Sequence, residues 1–276
     1  MKSLKPRLLT AAIGVPAVIL IIVISELWSP FLRIMLGIVS GIMIGEYMYG
    51  NKLLKRFELS IPCMVFSCAC SLLIGSVYVY LLLYVFLAVV FFVSIVRHKV
   101  IDFSQLCYSV VGNLLISFGM SAVAVACSNE FSLTFCFMLV FLLPWMADAG
   151  GFFIGASLGK NKLCPDISPK KTVEGAIGGV VFCIISALLL GLVFQLWVIP
   201  GVSVNFISLI ILGALDAVLS IVGDLSFSLI KRNLNIKDYG NMFPGHGGML
   251  DRCDSIIFTA PLVVLIGQFL PFLTMK

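Results

Sequence analysis

Charged residues are scarce in this chain. Asp, Glu, Lys and Arg together make up 11% of its 276 residues, whereas 61% are hydrophobic. A soluble domain usually carries about 25% charged and about 45–50% apolar residues. The composition therefore argues against a soluble protein and indicates a polytopic membrane protein, a class in which chain length does not give the number of domains.

Other features are absent as well. There is no tract rich in Gln or Asn, no Ser/Pro stalk and no long polar linker, so we predict one integral domain. The nine cysteines are scattered, mostly inside apolar runs, and form no disulfide framework. Cys68 and Cys70 form a CxC pair, but no second pair or histidine accompanies it. We interpret them as small buried hydrophobic residues.

Long apolar runs are abundant. A hydrocarbon core about 30 Å thick needs about 20 apolar residues in a helix. We therefore predict an all-α, polytopic integral membrane protein with about nine transmembrane helices, eight or ten being the neighbouring counts. The first span resembles a signal peptide but lacks a small-residue cleavage site, so we expect it to be retained. The predicted spans are 8–27, 31–50, 59–75, 78–96, 105–127, 131–147, 173–197, 204–223 and 255–273.

Lys and Arg test this topology independently, because short cytoplasmic loops hold the positive charge. If the amino terminus is cytoplasmic, all but two of the 18 basic residues fall on the cytoplasmic side, the exceptions being Arg33 and Lys276. An early error in the span count would destroy this agreement. We therefore predict a cytoplasmic amino terminus and a carboxy terminus on the outer side.

Aspartates collect in two of the predicted cytoplasmic loops, 148–172 and 224–254, beside lysines and arginines. Carboxylates bind Mg²⁺, usually one or two of them with substrate phosphates completing the shell. Lysines and helix N-termini bind phosphate oxygens. The two loops therefore predict a site for a polyphosphate and a divalent metal ion. The aspartates are Asp148, Asp166, Asp224, Asp238, Asp251 and Asp254.

In the first loop, Gly151, Gly155 and Gly159 are spaced by four, which favours close helix packing. GASLGKN is not a P-loop, because three residues separate its glycines and Asn follows the Lys.

The segment ISPKKTVEG is more informative. Ser168 suits a helix N-cap with Pro169 in the first turn. Such a helix start would present Lys170, Lys171 and free backbone N–H groups to a phosphate. The alternative is a capped helix whose lysines serve only to keep this loop on the cytoplasmic side of the membrane.

In the second loop, a stripe of polar residues follows the eighth span if that helix extends beyond the membrane, because their spacings are three and four. The stripe is Asp224, Ser228, Lys231 and Arg232. Glycines of the PGHGG segment let the backbone fold back towards the last helix. Asp251 and Asp254, three residues apart at its start, could then meet Asp224. The alternative is a solvated turn with aspartates that only cap the helix.

Three further titratable residues stand nearby. His246 has only Cys253 near it, which argues against zinc, and we expect it to contact phosphate or to orient the loop. Asp216 lies inside the eighth span, where a buried carboxylate is a functional candidate by default, but no motif places it. Glu46 lies near a cytoplasmic helix end, and proximity to the aqueous interface is an adequate explanation.

The second loop resembles the signature of the phosphatidate cytidylyltransferases (CDP-diacylglycerol synthases). That signature runs Ser-x-x-Lys-Arg, Lys-Asp, Pro-Gly-His-Gly-Gly and Asp-Arg-x-Asp, and each part is present here with fitting spacing. Segments at 168–175, at 223–224 and around Asp148 also resemble the family, so the recognisable part spans about 145–257. Cys253 is a small departure. The matching positions are Ser228, Lys231, Arg232, Lys237, Asp238, 244–248, Asp251, Arg252 and Asp254.

The resemblance implies that CTP and phosphatidic acid react to give CDP-diacylglycerol and pyrophosphate in phospholipid biosynthesis. It implies N-terminal transmembrane helices at 1–140 and a catalytic transmembrane region at 141–276. The expected cofactor is Mg²⁺, alone or with a second metal ion. The expected partners are CTP, phosphatidic acid and membrane lipid, with no nucleic acid and with a homodimer as a compatible assembly. The expected location is the inner or plasma membrane of a bacterium, with a cytoplasmic active site.

The same resemblance assigns roles to the candidate residues. The expected metal ligands are Asp224, Asp251 and Asp254. The expected substrate-binding residues are Lys170, Lys171, Lys237 and Arg252. The expected catalytic contacts are Asp148, Ser228, Lys231, Arg232 and His246.

Two other functions compete with this one. In a transporter or channel, Glu46, Asp216 and Asp224 would line an ion route, but the polar residues gather at one face and no inverted repeat is evident. A related enzyme could use CTP on another membrane lipid, such as a polyprenyl or archaeal ether lipid. The catalytic loops would barely distinguish that enzyme, because apolar spans bind the lipid tails.

Overall fold

A computed structural model describes residues 4–129, 132–199, 201–243 and 247–275. Within these ranges the chain forms nine α-helices and four short strands, which confirms the all-α fold class. A π-helical turn, Phe194–Val198, follows α7. The helices are α1 Leu4–Leu27, α2 Pro30–Gly50, α3 Phe57–Leu73, α4 Tyr78–Val96, α5 Phe103–Asn129, α6 Leu133–Leu158, α7 Val173–Val193, α8 Phe206–Asn233 and α9 Leu250–Phe269. The strands are β1 Lys162–Cys164, β2 Ser168–Thr172, β3 Val202–Val204 and β4 Leu273–Met275.

Six of the helices in the described ranges are long and apolar enough to cross a membrane. Their outward faces are apolar too. On α7, Ile177, Val181, Ile185 and Leu189 recur every four residues and are 48–62% exposed. Such a stripe faces hydrocarbon favourably, whereas in water it would be an unusually large apolar patch. The chain is therefore a polytopic membrane protein, while the count of nine spans and their orientation stay predictions.

The chain divides into two compact units. The first comprises Met1–Ala124 and Asn233–Cys253, and the second comprises Val125–Arg232 and Asp254–Lys276. The segment that precedes the last helix thus belongs with the N-terminal helices. This division by contacts differs from the predicted regions 1–140 and 141–276, and the extent of the catalytic region stays a prediction.

In the first unit, α2 packs closely on α3 through small residues. A Cβ on Gly37 would lie 2.8 Å from the Cys68 carbonyl oxygen, and one on Gly41 would lie 2.7 Å from the Cys68 sulfur. One turn away from Gly37, the hydroxyls of Ser40 and Ser67 share a hydrogen bond. Cys68 therefore acts as a small packing residue in a close helix contact.

In the second unit, α6 packs on α7 in the same way. A Cβ on Gly175 would lie 2.7 Å from the Gly151 carbonyl oxygen, and one on Gly155 would lie 2.9 Å from the Thr172 hydroxyl oxygen. The glycines spaced by four thus serve helix packing, as their spacing predicts.

The predicted loop 148–172 is shorter than expected, because residues 148–158 continue α6 and the strands β1 and β2 form an antiparallel hairpin. The predicted helix start at Ser168 is wrong, since Ser168 begins β2. The N-cap of α7 is Thr172, whose hydroxyl accepts a hydrogen bond from the Gly175 N–H at 3.1 Å. Pro169 lacks an N–H donor and fits an edge strand of this kind.

A second two-stranded sheet lies at the other end of α7. β3, between α7 and α8, pairs antiparallel with β4 after α9, and Val204 stands opposite Leu273. This pairing holds the end of α9 against the α7–α8 connection. The last helix accordingly ends at Phe269, four residues before the predicted end of its span at 273.

Candidate functional site

A cleft of about 160 Å³ opens in the second unit beside the start of α7. The close contact of α6 and α7 brings Asp148 of α6 next to the end of β2 there. Asp148, Lys170 and Lys171, which the sequence predicts for the site, therefore line one cavity. The lining residues are Ala147, Asp148, Gly151, Phe152, Leu163, Lys170, Lys171, Thr172, Gly175, Ala176 and Ile221.

Lys171 joins this cleft to α8. Its Nζ lies 2.6 Å from Oδ2 of Asp224, and both side chains are about one-quarter exposed. Further along α8, Nε of Arg232 donates to the Ile167 carbonyl oxygen at 3.3 Å, just before β2. The hairpin is thus fixed to α8 at two points, which sets the position of its lysines.

Asp254 reaches the same region from the start of α9. A Cβ on Gly223 would lie 2.8 Å from the Asp254 carbonyl oxygen, so the glycine before Asp224 permits a close approach of the two helices. One residue on, the Ser255 hydroxyl donates to the Ser220 carbonyl oxygen at 3.2 Å. Oδ1 of Asp254 accepts the Ser255 N–H at 2.8 Å.

The carboxylates of Asp148, Asp224 and Asp254, which we call the carboxylate cluster, interact electrostatically. Asp254 is 6% exposed and precedes the predicted span 255–273. Burial raises the pKa of its carboxyl to about 7, and the negative charges of Asp224 and Asp148 act in the same direction. The cationic Lys231, which is 8% exposed, acts in the opposite direction. A further positive charge placed here would be favourable.

The donor chemistry of the carboxylate cluster fits Mg²⁺, which takes hard oxygen ligands. In the ranges that the structure describes, no three His, Cys, Asp or Glu side chains are grouped closely enough to hold a metal ion by themselves. Protein sites for Mg²⁺ often supply one or two carboxylates, and substrate phosphates supply the remaining ligands. Asp224 and Asp254 therefore fit a metal ion that is held jointly with a phosphate substrate.

Asp251 lies in the first unit, where it binds backbone groups. Its Oδ2 accepts hydrogen bonds from the Tyr239 N–H at 2.8 Å and from the Gly248 N–H at 3.0 Å. Gly247, with φ of +84°, makes the predicted turn towards α9. Lys237 and Arg252 of the same unit are exposed. The metal-binding role of Asp251 stays a prediction.

The other predicted residues are distributed as follows. Ser228 is half-buried on α8, one turn after Asp224, and Lys231 follows it on the same helix. His246 lies outside the described residues, together with Pro244 and Gly245. Asp216 is fully buried in α8, and the Cys183 thiol lies 3.9 Å from its Oδ2, where it can donate a weak hydrogen bond.

Sequence reasoning did not predict the structural roles of two carboxylates that organise the surrounding backbone, and it explained Glu46 by its proximity to the aqueous interface alone. Glu174 accepts hydrogen bonds from the N–H groups of Lys160 and Asn161 and thereby holds the start of the hairpin to α7. Glu46 of α2 accepts hydrogen bonds from two N–H groups at the start of α9. The available signal was a single acidic residue in the apolar run IMIGEYMYG.

Comparison with known proteins places these features in a family. Residues 5–270 match the model described as "Cytidylyltransferase family". The chain is 41% identical over 138 residues to a phosphatidate cytidylyltransferase of Bacillus subtilis, which covers 50% of this chain and 49% of that protein. It is 37% identical over 164 residues to one of Rickettsia bellii, covering 59% of this chain and 71% of that protein. The chain spans about half the length of the first of these relatives.

Proposed function

Because the chain belongs to the cytidylyltransferase family, we propose that it transfers a cytidylyl group from CTP to phosphatidic acid, giving CDP-diacylglycerol and pyrophosphate. The observation that carries this proposal is the cleft at the α6–α7 contact, where Lys170 and Lys171 stand beside the carboxylate cluster. The lysines can bind phosphate oxygens and the carboxylates can bind a metal ion, and both interactions serve a nucleotidyl transfer.

In the proposed reaction, a phosphate oxygen of phosphatidic acid forms a bond to the α-phosphorus of CTP. The bond from that phosphorus to the pyrophosphate oxygen breaks, and the bonding electrons leave with pyrophosphate. The attacking oxygen is already anionic, so no strong base is required. Catalysis then depends on holding the two phosphates in line and on neutralising their charge.

Lys170 and Lys171 would bind phosphate oxygens of the substrates. Lys170 is exposed at the cleft, whereas Lys171 pairs with Asp224. A phosphate that enters the cleft would compete with Asp224 for the Lys171 ammonium. We expect Lys171 to turn to the phosphate, which leaves the Asp224 carboxylate to a metal ion.

Asp224 and Asp254 would hold Mg²⁺, and the sequence motif adds Asp251 as a predicted ligand. When bound, the ion supplies positive charge to the phosphate oxygens. Lys231, whose charge already acts on Asp254, would balance the remaining negative charge. Ser228, Arg232, Lys237, Arg252 and His246 stay predicted contacts of the substrates.

The proposed location is a bacterial inner membrane, with the cleft on the cytoplasmic side. The two long polar segments carry much of the Lys and Arg of the chain, and such charge marks the cytoplasmic face. CTP is dissolved in the cytoplasm, and phosphatidic acid can enter sideways from the inner leaflet.

The test is an assay of the purified protein in detergent with labelled CTP, phosphatidic acid and Mg²⁺. We expect labelled CDP-diacylglycerol from the wild type and roughly hundredfold less from Asp224→Asn, because the variant would hold the charge-neutralising metal ion poorly and the loss of such electrostatic stabilisation costs about that factor. Asp102→Asn, at an exposed position before α5, is the matched control and should retain activity. Absence of a CDP-lipid from the wild type would refute the proposed reaction. Full activity in Asp224→Asn would refute the site.

A further inference from the structure

We propose that Glu46 is a positioning residue for the proposed cytidylyl transfer, on which this inference rests. Its carboxylate, on an N-terminal helix outside the recognised motif, holds the start of α9 and thereby orients the first turn that carries Asp251. All the contacts that support this role lie within the first unit.

The contacts are direct. Oε1 of Glu46 accepts a hydrogen bond from the Met249 N–H at 3.0 Å, and Oε2 accepts one from the Leu250 N–H at 2.8 Å. These N–H groups lie at the beginning of α9, where no carbonyl of the same helix can reach them. A carboxylate is also favourable at a helix N-terminus because of the helix dipole. Glu46 therefore caps α9 from α2, more than 200 residues away in the chain.

Glu46 and Asp251 divide the backbone donors of this segment between them. Asp251 takes the N–H of Gly248, and Glu46 takes the next two, of Met249 and Leu250. Asp251 also takes the N–H of Tyr239, which fixes the direction of its carboxylate. A shift of the 248–250 backbone would therefore move Asp251 as well.

The last glycine of the GHGG segment, Gly248, lies against the same carboxylate. A Cβ on Gly248 would collide with both carboxylate oxygens of Glu46, and one on Gly240 would also meet this carboxylate. Gly247 has a left-handed φ of +84°, whereas Gly248 has no such backbone requirement. Glycine at position 248 therefore leaves room for the Glu46 carboxylate, which a methyl group there would displace.

The end of α2 contacts α5 and Tyr239 through the ring of Tyr47. Tyr47 stacks on Tyr108 of α5 with ring centroids 4.1 Å apart, and each hydroxyl donates to the other residue's carbonyl oxygen at 3.2 Å. The ring of Tyr239, 1% exposed, lies 6.1 Å from that of Tyr47. Neighbouring residues of α2 thus contact both Tyr239 and the start of α9.

Hydrogen exchange tests the contact itself, without reference to activity. In Glu46→Gln, the amide of the side chain can accept at one atom only and carries no charge. We expect the backbone amides of Met249 and Leu250 to exchange about tenfold faster or more than in the wild type, because a hydrogen bond to a charged group is lost. Glu58→Gln, in the first turn of α3, is the matched control. Unchanged exchange in Glu46→Gln would refute the cap, even if the wild type forms no CDP-lipid.

Steady-state kinetics test the positioning. We expect Glu46→Gln to lower kcat about tenfold, with KM for CTP changed less than threefold, since Lys170 and Lys171, the lysines of the cleft, belong to the second unit. Glu46→Asp retains the charge but is one methylene shorter, and we expect it to restore kcat only in part. A loss confined to KM, or a kcat equal to that of the wild type, would contradict the positioning role.

A double-mutant cycle separates positioning from general destabilisation. Gly248→Ala should lower kcat strongly when Glu46 is present, because the new methyl group displaces the carboxylate. In the Glu46→Ala background that obstacle is gone, so we expect the further loss from Gly248→Ala to be about tenfold smaller. Losses that simply multiply would refute the coupling. If the wild type proves inactive, the proposed reaction fails while the exchange experiment still decides the cap.

Discussion

At the scale of single residues, Asp254 combines burial with negative neighbours. Its carboxyl is 6% exposed at the start of α9, and both Asp224 and Asp148 act on it. Such surroundings disfavour the ionised form of the carboxyl group, so its ionisation lowers the stability of the folded protein at neutral pH. Carboxylates with raised pKa values are common at functional sites. The sequence motif identified Asp254 as a candidate site residue. Its burial results from the packing of the helices and could not be read from the motif.

Asp254→Asn should separate stability from activity. Because the folded-state pKa is raised from 3.8 to about 7, the ionised carboxyl lowers stability as pH rises through that interval. We expect the variant in metal-free buffer to melt at a higher temperature than the wild type at pH 8, and this gain to vanish below pH about 4. Synthesis of CDP-lipid should fall roughly hundredfold.

Thermal melting at the two pH values and the CTP assay check this prediction. Asp166→Asn, in the exposed turn of the hairpin, is the control for a lost surface charge. A lower melting temperature for Asp254→Asn at pH 8 would mean that the ionised carboxylate stabilises the fold.

At the scale of elements, glycine decides how closely α6 and α7 approach. The spacing of Gly151 and Gly155 in the sequence indicated helix packing, and the two helices meet there. The sequence did not indicate that Ser168–Thr172 is a strand. Ser168 and Thr172 both have a side chain suited to an N-cap, and antiparallel pairing with β1 selects the later one. The local sequence preference for an N-cap residue therefore does not choose between Ser168 and Thr172.

Gly175→Ala should destabilise the protein. The added methyl group would stand 2.7 Å from the Gly151 carbonyl oxygen, which is backbone and cannot move aside alone. We expect a loss of about 1–3 kcal/mol, typical of overpacking, measured as a lower melting temperature in detergent. Gly14→Ala is the control, because a Cβ there meets nothing within 4 Å. Equal melting of both variants would contradict the close contact.

At the scale of the whole molecule, the proposed function requires the hairpin to face the cytoplasm. The positive charge of the loops predicts this orientation. Cys164 at the end of β1 is half-buried in the hairpin, and it is a free thiol. It therefore provides a natural label for the side of the membrane on which the cleft opens.

A variant that retains Cys164 as its sole cysteine should react with a membrane-impermeant maleimide in inside-out vesicles but not in intact spheroplasts. Val77→Cys in an otherwise cysteine-free protein, in the turn between α3 and α4 and 73% exposed, should show the opposite pattern. A gel shift gives the labelling yield in each membrane preparation and thereby shows the side on which each cysteine lies. Labelling of Cys164 from outside would overturn the predicted topology and the cytoplasmic cleft together.

The amino-acid sequence by itself determined the all-α membrane class and the family. The membrane class follows from the sequence because apolar runs of about 20 residues satisfy their backbone hydrogen bonds within each helix. The family follows because the residues of its motif, from Ser228 to Asp254, lie close together in the chain. Tertiary structure alone decided that Lys171 pairs with Asp224, that Thr172 caps α7 and that Glu46 caps α9. The physical reason is that helix formation depends on neighbours three or four residues away, whereas these contacts depend on which helices and strands pack together.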